Sequence, residues 1–303
     1  MNKACRAPSG WVAVFAIICI WSGFILVTRQ GGTGTLTSWD IAMLRFGVGA
    51  LIAIFFLPWV MLPPFKVIVL FSFFGGIGYA VAVYAAFRMA PAAHASVLLP
   101  GTLPFATAVI AWLWLRQKPL PRHLAALVTV LVGVMLTAAD SLSSGPQLSP
   151  TQITGDFLFL CDSSSWAVFT LLLGRYSVQP LVATVTTTLG SAALYLPIWW
   201  LFLPSRLMQA TAAEIATQAL YQGVLVVFVS MLLYSFAINR LGSHMVALQM
   251  AFVPVISALA AVSLLGEPIS LLTWGGLIAV TTGAIVGARA TAHGVAPGPM
   301  RNL

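Results

Sequence analysis

The fold is decided by a segment late in the chain that has a counterpart 150 residues earlier. The later segment is PVISALAAVSLLGEP, residues 254–268, and the earlier one is PFATAVIAWLWLRQKP, residues 104–119. Each runs from a proline through an apolar stretch to a charged residue that a second proline follows directly. Apolar stretches of this kind belong to helices that cross a lipid bilayer. The two copies therefore predict a membrane protein with an internal repeat.

The composition of the whole chain points the same way. Of 303 residues, 60% are hydrophobic and 7% are charged, and the mean hydropathy is +1.00. A soluble chain carries charge at about 25% of its positions. The 14 Lys and Arg residues are scattered singly between apolar runs, so the net charge of +8 does not indicate a nucleic-acid partner. We expect an integral membrane protein whose surroundings are the lipid bilayer.

Ten apolar segments are long enough to cross a bilayer, which takes about 20 residues. They lie at approximately 10–30, 37–60, 66–89, 94–115, 120–139, 155–174, 179–202, 215–239, 243–265 and 270–289. The predicted fold class is an all-α integral membrane protein, with ten transmembrane helices arranged as two inverted five-helix repeats. The predicted divisions are a first repeat (1–139), a polar linker (140–154), a second repeat (155–290) and a cytoplasmic tail (291–303).

Basic residues indicate how the helices are oriented. With the N-terminus inside, the outer segments hold Arg29, Arg88 and Arg206. The inner segments then hold Lys3, Arg6, Lys66, Arg116, Lys118, Arg122, Arg175, Arg240, Arg289 and Arg301. Because basic residues favour the cytoplasmic side, we expect a multi-pass protein of the cell inner membrane with both termini in the cytoplasm.

The repeat extends beyond the two quoted segments. Tyr84, His94 and Pro104 recur 150 residues later as Tyr234, His244 and Pro254. Each half holds five spans, an odd number, so the second copy must cross the membrane in the opposite direction. Inverted repeats with a site near the bilayer midplane are typical of secondary transporters.

These features resemble the drug/metabolite transporter superfamily, and within it the EamA-type ten-helix exporters. The resemblance rests on the five-plus-five arrangement, on Arg45 in the second span, and on the two proline segments that end in Lys118-Pro119 and Glu267-Pro268. It implies export of a small polar or amphipathic metabolite through a central cavity without ATP hydrolysis. The branch includes aromatic amino-acid exporters. Lys118 departs from the pattern, which usually has an acidic residue there.

Three aromatic residues are candidates for substrate binding. Trp21 and Trp166 each lie about 11 residues into a predicted helix, roughly 16 Å deep and near the midplane. The pseudo-two-fold relation would place them on opposite walls of a cavity, where indole rings suit an amphipathic ligand. Tyr79 lies in the middle of the third span. Either tryptophan could instead fill helix packing or face lipid.

Asp162 is the acidic residue deepest in a predicted span, and Ser165 and Trp166 follow it on the same helical face. An ionisable group at this depth indicates function, and Asp162 could bind a substrate ammonium or carry a coupling proton. It could equally pair with Arg45, which lies at a similar depth and which we interpret as a structural charge. These alternatives stay open.

Four residues are candidates for gating and two for hinges. Tyr84 and His94 come near the outer face, and Tyr234 and His244 near the inner face, which suits two alternating gates or two interfacial aromatic belts. Pro104 and Pro254 fall near the middle of the fourth and ninth spans, where proline can kink a helix.

The sequence therefore predicts a secondary transporter, not an enzyme, that exports a small metabolite by alternating access, with amino acids as the leading substrates. Neutral drugs or nucleosides are the alternative, and a membrane-embedded enzyme is a remote one. No metal site and no cofactor are expected, and a homodimer is left open.

Overall fold

The computed structural model describes residues 7–116, 121–143, 150–241, 246 and 249–292, and this part of the chain consists of helices joined by short turns and loops. Residues in a membrane must satisfy their backbone groups within the segment, which a helix does. The α-helices, numbered in chain order, are α1 (Ala7–Thr33), α2 (Ser38–Phe56), α3 (Phe65–Ser72), α4 (Gly78–Met89), α5 (Ala92–Leu98), α6 (Leu103–Leu115), α7 (Pro121–Ser143), α8 (Pro150–Tyr176), α9 (Pro180–Phe202), α10 (Ala212–Gln218), α11 (Ser230–Leu241), α12 (Val253–Ala260) and α13 (Leu271–Ala292).

Three stretches of π-helix join or extend these α-helices. Phe73–Ile77 links α3 to α4, Ala219–Val229 links α10 to α11, and Ala261–Leu265 continues α12. Such turns are rare and occur frequently at functional sites. The sequence pattern did not indicate them, because a π-turn leaves the run of apolar residues uninterrupted.

The number of spans agrees with the expectation in part. By length and composition, seven helices can cross a membrane, and three shorter apolar helices accompany them at Phe105–Trp114, Val253–Leu265 and Leu271–Gly287, all within the described part of the chain. The structure thus supports an all-helical membrane protein without confirming ten complete spans. The fourth predicted span, 94–115, is divided by a turn at 99–102.

Contacts between helix ends define two sides of the bundle. We call the side where α1 begins the proximal side and the side where α1 ends the distal side. On the distal side, the backbone nitrogen of Thr35 donates to Glu214 and the Thr37 hydroxyl donates to the carbonyl of Pro204. On the proximal side, Gly10 near the start of α1 packs against Leu241 at the end of α11.

The two halves cross the membrane in opposite directions. Gly155, near the start of α8, packs against Met89 and Ala90, where α4 ends on the distal side. Its counterpart Gly10, near the start of α1, is on the proximal side. The first helix of each half therefore starts on opposite sides, as an odd number of spans in each half requires.

Small residues let α7 and α13 pack closely against each other within the chain. Gly133 of α7 lies against Gly276 and Val280 of α13, and Gly283 of α13 lies against Ala126 and Val130 of α7. Without side chains at these glycines the two helices approach closely, and van der Waals packing then holds them together in lipid. A Cβ added at Gly283 would lie 2.9 Å from the Ala126 carbonyl oxygen.

We expect Gly283→Ala to destabilise the protein by about 1–3 kcal/mol, the usual effect of overpacking. The thermal unfolding midpoint of the purified protein in detergent is the measurement. Gly174→Ala is the matched control, because a Cβ at Gly174 in α8 meets no atom within 4 Å, and alanine favours a helix. Equal midpoints for the two variants would show that α7 and α13 are not in close contact.

Candidate functional site

A cavity of about 170 Å³ lies between the two halves of the chain. Its wall takes residues 21–103 from the first half and 163–253 from the second. The aromatic lining residues are Trp21, Phe24, Phe46, Tyr79, Trp166 and Phe169. The hydroxyl-bearing ones are Ser163, Thr184, Thr187, Thr188 and Ser230. Such a surface suits a small ligand with an apolar body and few polar groups.

The structure brings the three predicted aromatic residues to this cavity. Trp21 is stacked on Tyr234 with ring centroids 5.6 Å apart, and Trp166 packs against Tyr79 at 5.1 Å. Trp166 also lies 5.2 Å from Phe169, so its ring is held on two sides. A ring fixed in this way offers its remaining face to the cavity at little entropic cost. Their role as substrate ligands stays a prediction.

Two of the π-helical stretches contribute directly to the cavity wall. Gly75 belongs to the first stretch, and Val226 and Val227 belong to the second. A Cβ at Gly75 would lie 2.7 Å from the ring of Phe169, so glycine is what lets this ring approach the π-turn. The wall therefore depends on local backbone geometry that a regular helix would not provide.

Arg45 lines the cavity and is 6% exposed. Its guanidinium carbon lies 5.9 Å from the centroid of the Tyr79 ring, a distance at which a cation is attracted to the ring face. Its Nη1 makes no hydrogen bond to any described residue. The ion pair with Asp162 that the sequence suggested as an alternative is not formed in the described part of the chain.

Asp162 and Ser165 were predicted to bind substrate, but the structure does not place them in the cavity wall. Asp162 is fully buried, and neither carboxyl oxygen has a partner among the described residues. The Ser165 hydroxyl donates to the carbonyl of Phe74. At about 100° per residue, Asp162 lies on the same face of α8 as Trp166 and Phe169, which line the cavity, so its carboxyl is buried on the cavity side of the helix without reaching the wall.

The cavity is continued towards the proximal side. A second cavity shares Thr184 and Met231 with the first, and its wall reaches Gln179 and Pro180, where α9 begins. The proximal end of α9 follows directly on the end of α8, so this second cavity lies at the proximal end of the bundle, and we call it the proximal mouth. It lies on the same side as the start of α1.

An ion pair that the sequence analysis did not predict holds the helices together on the distal side. Arg29 Nε lies 2.5 Å from Glu267 Oε1, and Arg29 Nη1 donates to the carbonyl of Phe87. The other oxygen of Glu267 accepts a hydrogen bond from the backbone nitrogen of Ala92. We call these three contacts the distal latch. It joins the end of α1 to the start of α5 and to the loop that precedes α13.

His94, a predicted gate residue, lies in a buried polar cluster beside the latch. Its Nδ1 is 3.0 Å from Asp156 and its Nε2 is 3.0 Å from Asp140, and Thr273 of α13 also donates to Asp140. The Ser141 hydroxyl donates to Asp156. The cluster joins α5 and α7 of the first half to α8 and α13 of the second, so separating the halves on this side must break it.

The other predicted gate residues are placed differently. Tyr84 is fully buried and donates to Gln222, so it belongs to the core and not to an exposed aromatic belt. Tyr234 packs on Trp21 beside the cavity. His244 lies outside the described residues.

The predicted hinge prolines do not kink continuous helices. Pro104 occupies the first turn of α6, after the turn at 99–102, and Pro254 occupies the first turn of α12, after a turn at 251–252. A first-turn proline costs no backbone hydrogen bond, because that N–H has no intrahelical partner. The helix is interrupted just before each proline. Pro100 lies within the first break and Val253 directly follows the second, and both residues line the cavity.

Comparison with known proteins places the chain in a family. The sequence model of the EamA-like transporter family matches twice, over residues 8–139 and 153–288. The chain belongs to the EamA-like transporter family. Its members are membrane transporters of small solutes, and the double match agrees with the two halves that the sequence and the structure display.

Several solved structures are similar to the chain, and one of them has 21% sequence identity and a TM-score of 0.63. The match covers 94% of this chain and 99% of the other, and its title reads only "Crystal structure of protein". At this identity it supports the fold alone. No curated protein matches the chain.

We expect Glu267→Gln to open the distal side more often, because it leaves Arg29 without its counter-charge. The reporter is a Leu103→Cys substitution in a chain whose native cysteines are replaced. A membrane-impermeant thiol reagent is added to each side of the membrane in turn, and its reaction with this cysteine measures how often the cavity is open to that side. Hydrogen bonds between charged groups contribute about 1.5–3 kcal/mol, so distal labelling should rise at least about tenfold. Arg206→Gln removes a charge from the same side as a control. Unchanged distal labelling in Glu267→Gln would show that the latch does not close this side.

Proposed function

We propose that this protein exports a small amphipathic metabolite by alternating access, with amino acids, including aromatic ones, as the leading substrates. The observation that carries the proposal is a single cavity built by both halves, continued to the proximal side and bounded on the distal side by the latch and the His94 cluster. A cavity of this kind between inverted repeats is how secondary transporters bind and release their substrates.

The direction of transport follows from the proposed orientation. If both termini are cytoplasmic, as the distribution of basic residues favours, the proximal mouth faces the cytoplasm and the cavity can be loaded there. Release then requires the distal latch to open and the proximal mouth to close. The breaks before Pro104 and Pro254 suit this motion, because two short helices joined by a turn can tilt separately.

The lining also favours a second class of substrate. Apart from Arg45, the described lining residues are uncharged, and their polar groups are mainly hydroxyls. Such a wall can bind a neutral drug or a nucleoside by stacking and hydrogen bonding. A substrate with several phosphate charges would require several basic groups in the cavity.

Uptake of radiolabelled amino acids into liposomes that contain the purified protein tests the proposal, and Trp166→Ala tests the site. We expect this variant to raise the apparent substrate constant about 10-fold or more, because a buried aromatic contact contributes about 1–3 kcal/mol. The amount of folded protein should not change. Trp200→Ala is the control, since Trp200 is 78% exposed on the outside of the bundle. An unchanged constant in Trp166→Ala would remove the cavity from the transport path, and absence of uptake for every amino acid would exclude them as substrates.

Asp162 is our candidate for a coupling proton. It is buried without a partner and directly precedes Ser163 in the cavity wall, and an ionised carboxylate in such surroundings is unfavourable. We expect Asp162→Asn to abolish uptake driven by a pH gradient and to leave counterflow exchange intact. Both rates are measured in the same liposomes. Loss of exchange as well, with less folded protein, would assign Asp162 a structural role.

A further inference from the structure

Charged side chains in the described part of the bundle are generally paired. Arg29 has Glu267, His94 has Asp140 and Asp156, and Asp40 accepts hydrogen bonds from Ser205, Trp199 and the backbone of Arg206. Among the described residues, Arg45 and Asp162 are the two ionisable side chains that have buried polar atoms without a hydrogen-bond partner. Of these two, Arg45 alone lines the cavity.

Arg45 carries a positive charge under all conditions relevant to a protein. A buried charge without a counter-charge is strongly unfavourable. The Tyr79 ring and a hydrogen bond to the Tyr84 side chain compensate for part of that energy and leave Nη1 of Arg45 without a partner among the described residues. None of the described lining residues is acidic. No described carboxylate forms an ion pair with Arg45, and Asp162 does not line the cavity, so an anion that enters the cavity can supply the counter-charge.

We propose that Arg45 binds the carboxylate of the transported substrate, so that the substrate class is an aromatic or similarly apolar carboxylic acid in its anionic form. The guanidinium matches a carboxylate because its N–H groups form two parallel hydrogen bonds with the two oxygens. This inference rests on the proposed transport function and assigns Arg45 a role in binding in place of the structural role expected from the sequence.

A hydroxyl group from α9 lines the same cavity as Arg45. Thr187 lines the cavity and its hydroxyl has no hydrogen-bond partner among the described residues. It lies on α9, which packs along α2, and Gly49, one turn after Arg45, contacts the neighbouring Thr188. Thr187 therefore adds an unsatisfied hydroxyl to the wall that Arg45 also lines.

The rest of the cavity accommodates the apolar body of the same molecule. The Tyr79 ring lies under the Arg45 guanidinium and packs directly on Trp166. A ligand whose carboxylate reaches Arg45 thus has an aromatic surface next to its acidic end. Trp21 lines the same cavity from the other half of the chain. This arrangement selects for one negative charge at one end of a small apolar molecule.

The test uses three compounds with the same phenylpropyl skeleton: 3-phenylpropionate, 3-phenylpropan-1-ol and 3-phenylpropylamine. Their affinities for the purified full-length protein are measured by thermal stabilisation in detergent. We expect 3-phenylpropionate to bind at least about tenfold more tightly than the alcohol and the amine, because hydrogen bonds to charged groups contribute about 1.5–3 kcal/mol. Arg45→Gln should weaken binding of the carboxylate about 10-fold to 100-fold and leave binding of the alcohol unchanged.

Unchanged binding of the alcohol shows that Arg45→Gln is folded with its aromatic wall in place. Should Arg45→Gln fail to fold, Arg45→Lys keeps the charge without the paired hydrogen bonds, and the carboxylate should then lose affinity relative to the alcohol. Equal affinity of the wild-type protein for carboxylate and alcohol, or no binding of any of the three, would overturn the inference. So would an Arg45 variant that keeps its preference for the carboxylate.

Uptake into liposomes separates this inference from the proposed function. If the alcohol and the carboxylate were transported with equal apparent constants, the proposed transport function would stand, but the inference that the cavity selects for the acid group would be wrong. Selective binding of 3-phenylpropionate without uptake would support the Arg45 site and count against transport of this class of compound.

Discussion

The structure depends on the unfavourable energy of a charge in a low-dielectric environment. Twenty charged residues occur in a chain of 303, and several of those described are paired with residues of other helices. Arg29 and Glu267 are 238 residues apart in the chain and form an ion pair on the distal side. Since each charge needs the other, the pair holds α1 against the loop before α13 and closes the bundle there.

The same constraint gives the cavity its chemical character. Aromatic rings and hydroxyls form most of its wall, and Arg45 supplies one positive charge whose Nη1 has no partner among the described residues. The paired charges on the distal side have a different role from the unsatisfied charge of Arg45 near the centre. The first kind stabilises a closed arrangement of helices, and the second kind is available to a ligand.

Irregular backbone is concentrated where the two halves meet. The turn at 99–102 and the π-helical stretches Phe73–Ile77 and Ala219–Val229 all contribute residues to the cavity. Non-helical backbone at this depth is tolerated where it lines a cavity inside the protein. These interruptions also let parts of one span move separately, which a transporter that alternates between two openings requires.

The sequence by itself determined the membrane class, the repeat and the family resemblance. Composition excludes a soluble surface, an odd number of spans in each half requires inversion, and the proline segments identify the EamA-type pattern. It also indicated Trp21, Tyr79 and Trp166 as cavity residues, because depth in a helix can be counted along the chain. All three line the same cavity in the structure.

Only the tertiary structure decided which polar groups meet. Sequence depth alone left open whether Arg45 pairs with Asp162, because similar depth does not fix the direction in which each side chain points. Asp162 is buried on the cavity side of α8 without lining the cavity, the Ser165 hydroxyl donates to the carbonyl of Phe74, and Ser163 lines the cavity. The distal latch joins residues far apart in the chain, and no local pattern encodes such a contact. Position along a helix follows from the sequence, whereas the rotation of each helix and its neighbours follow from the packing of the whole bundle.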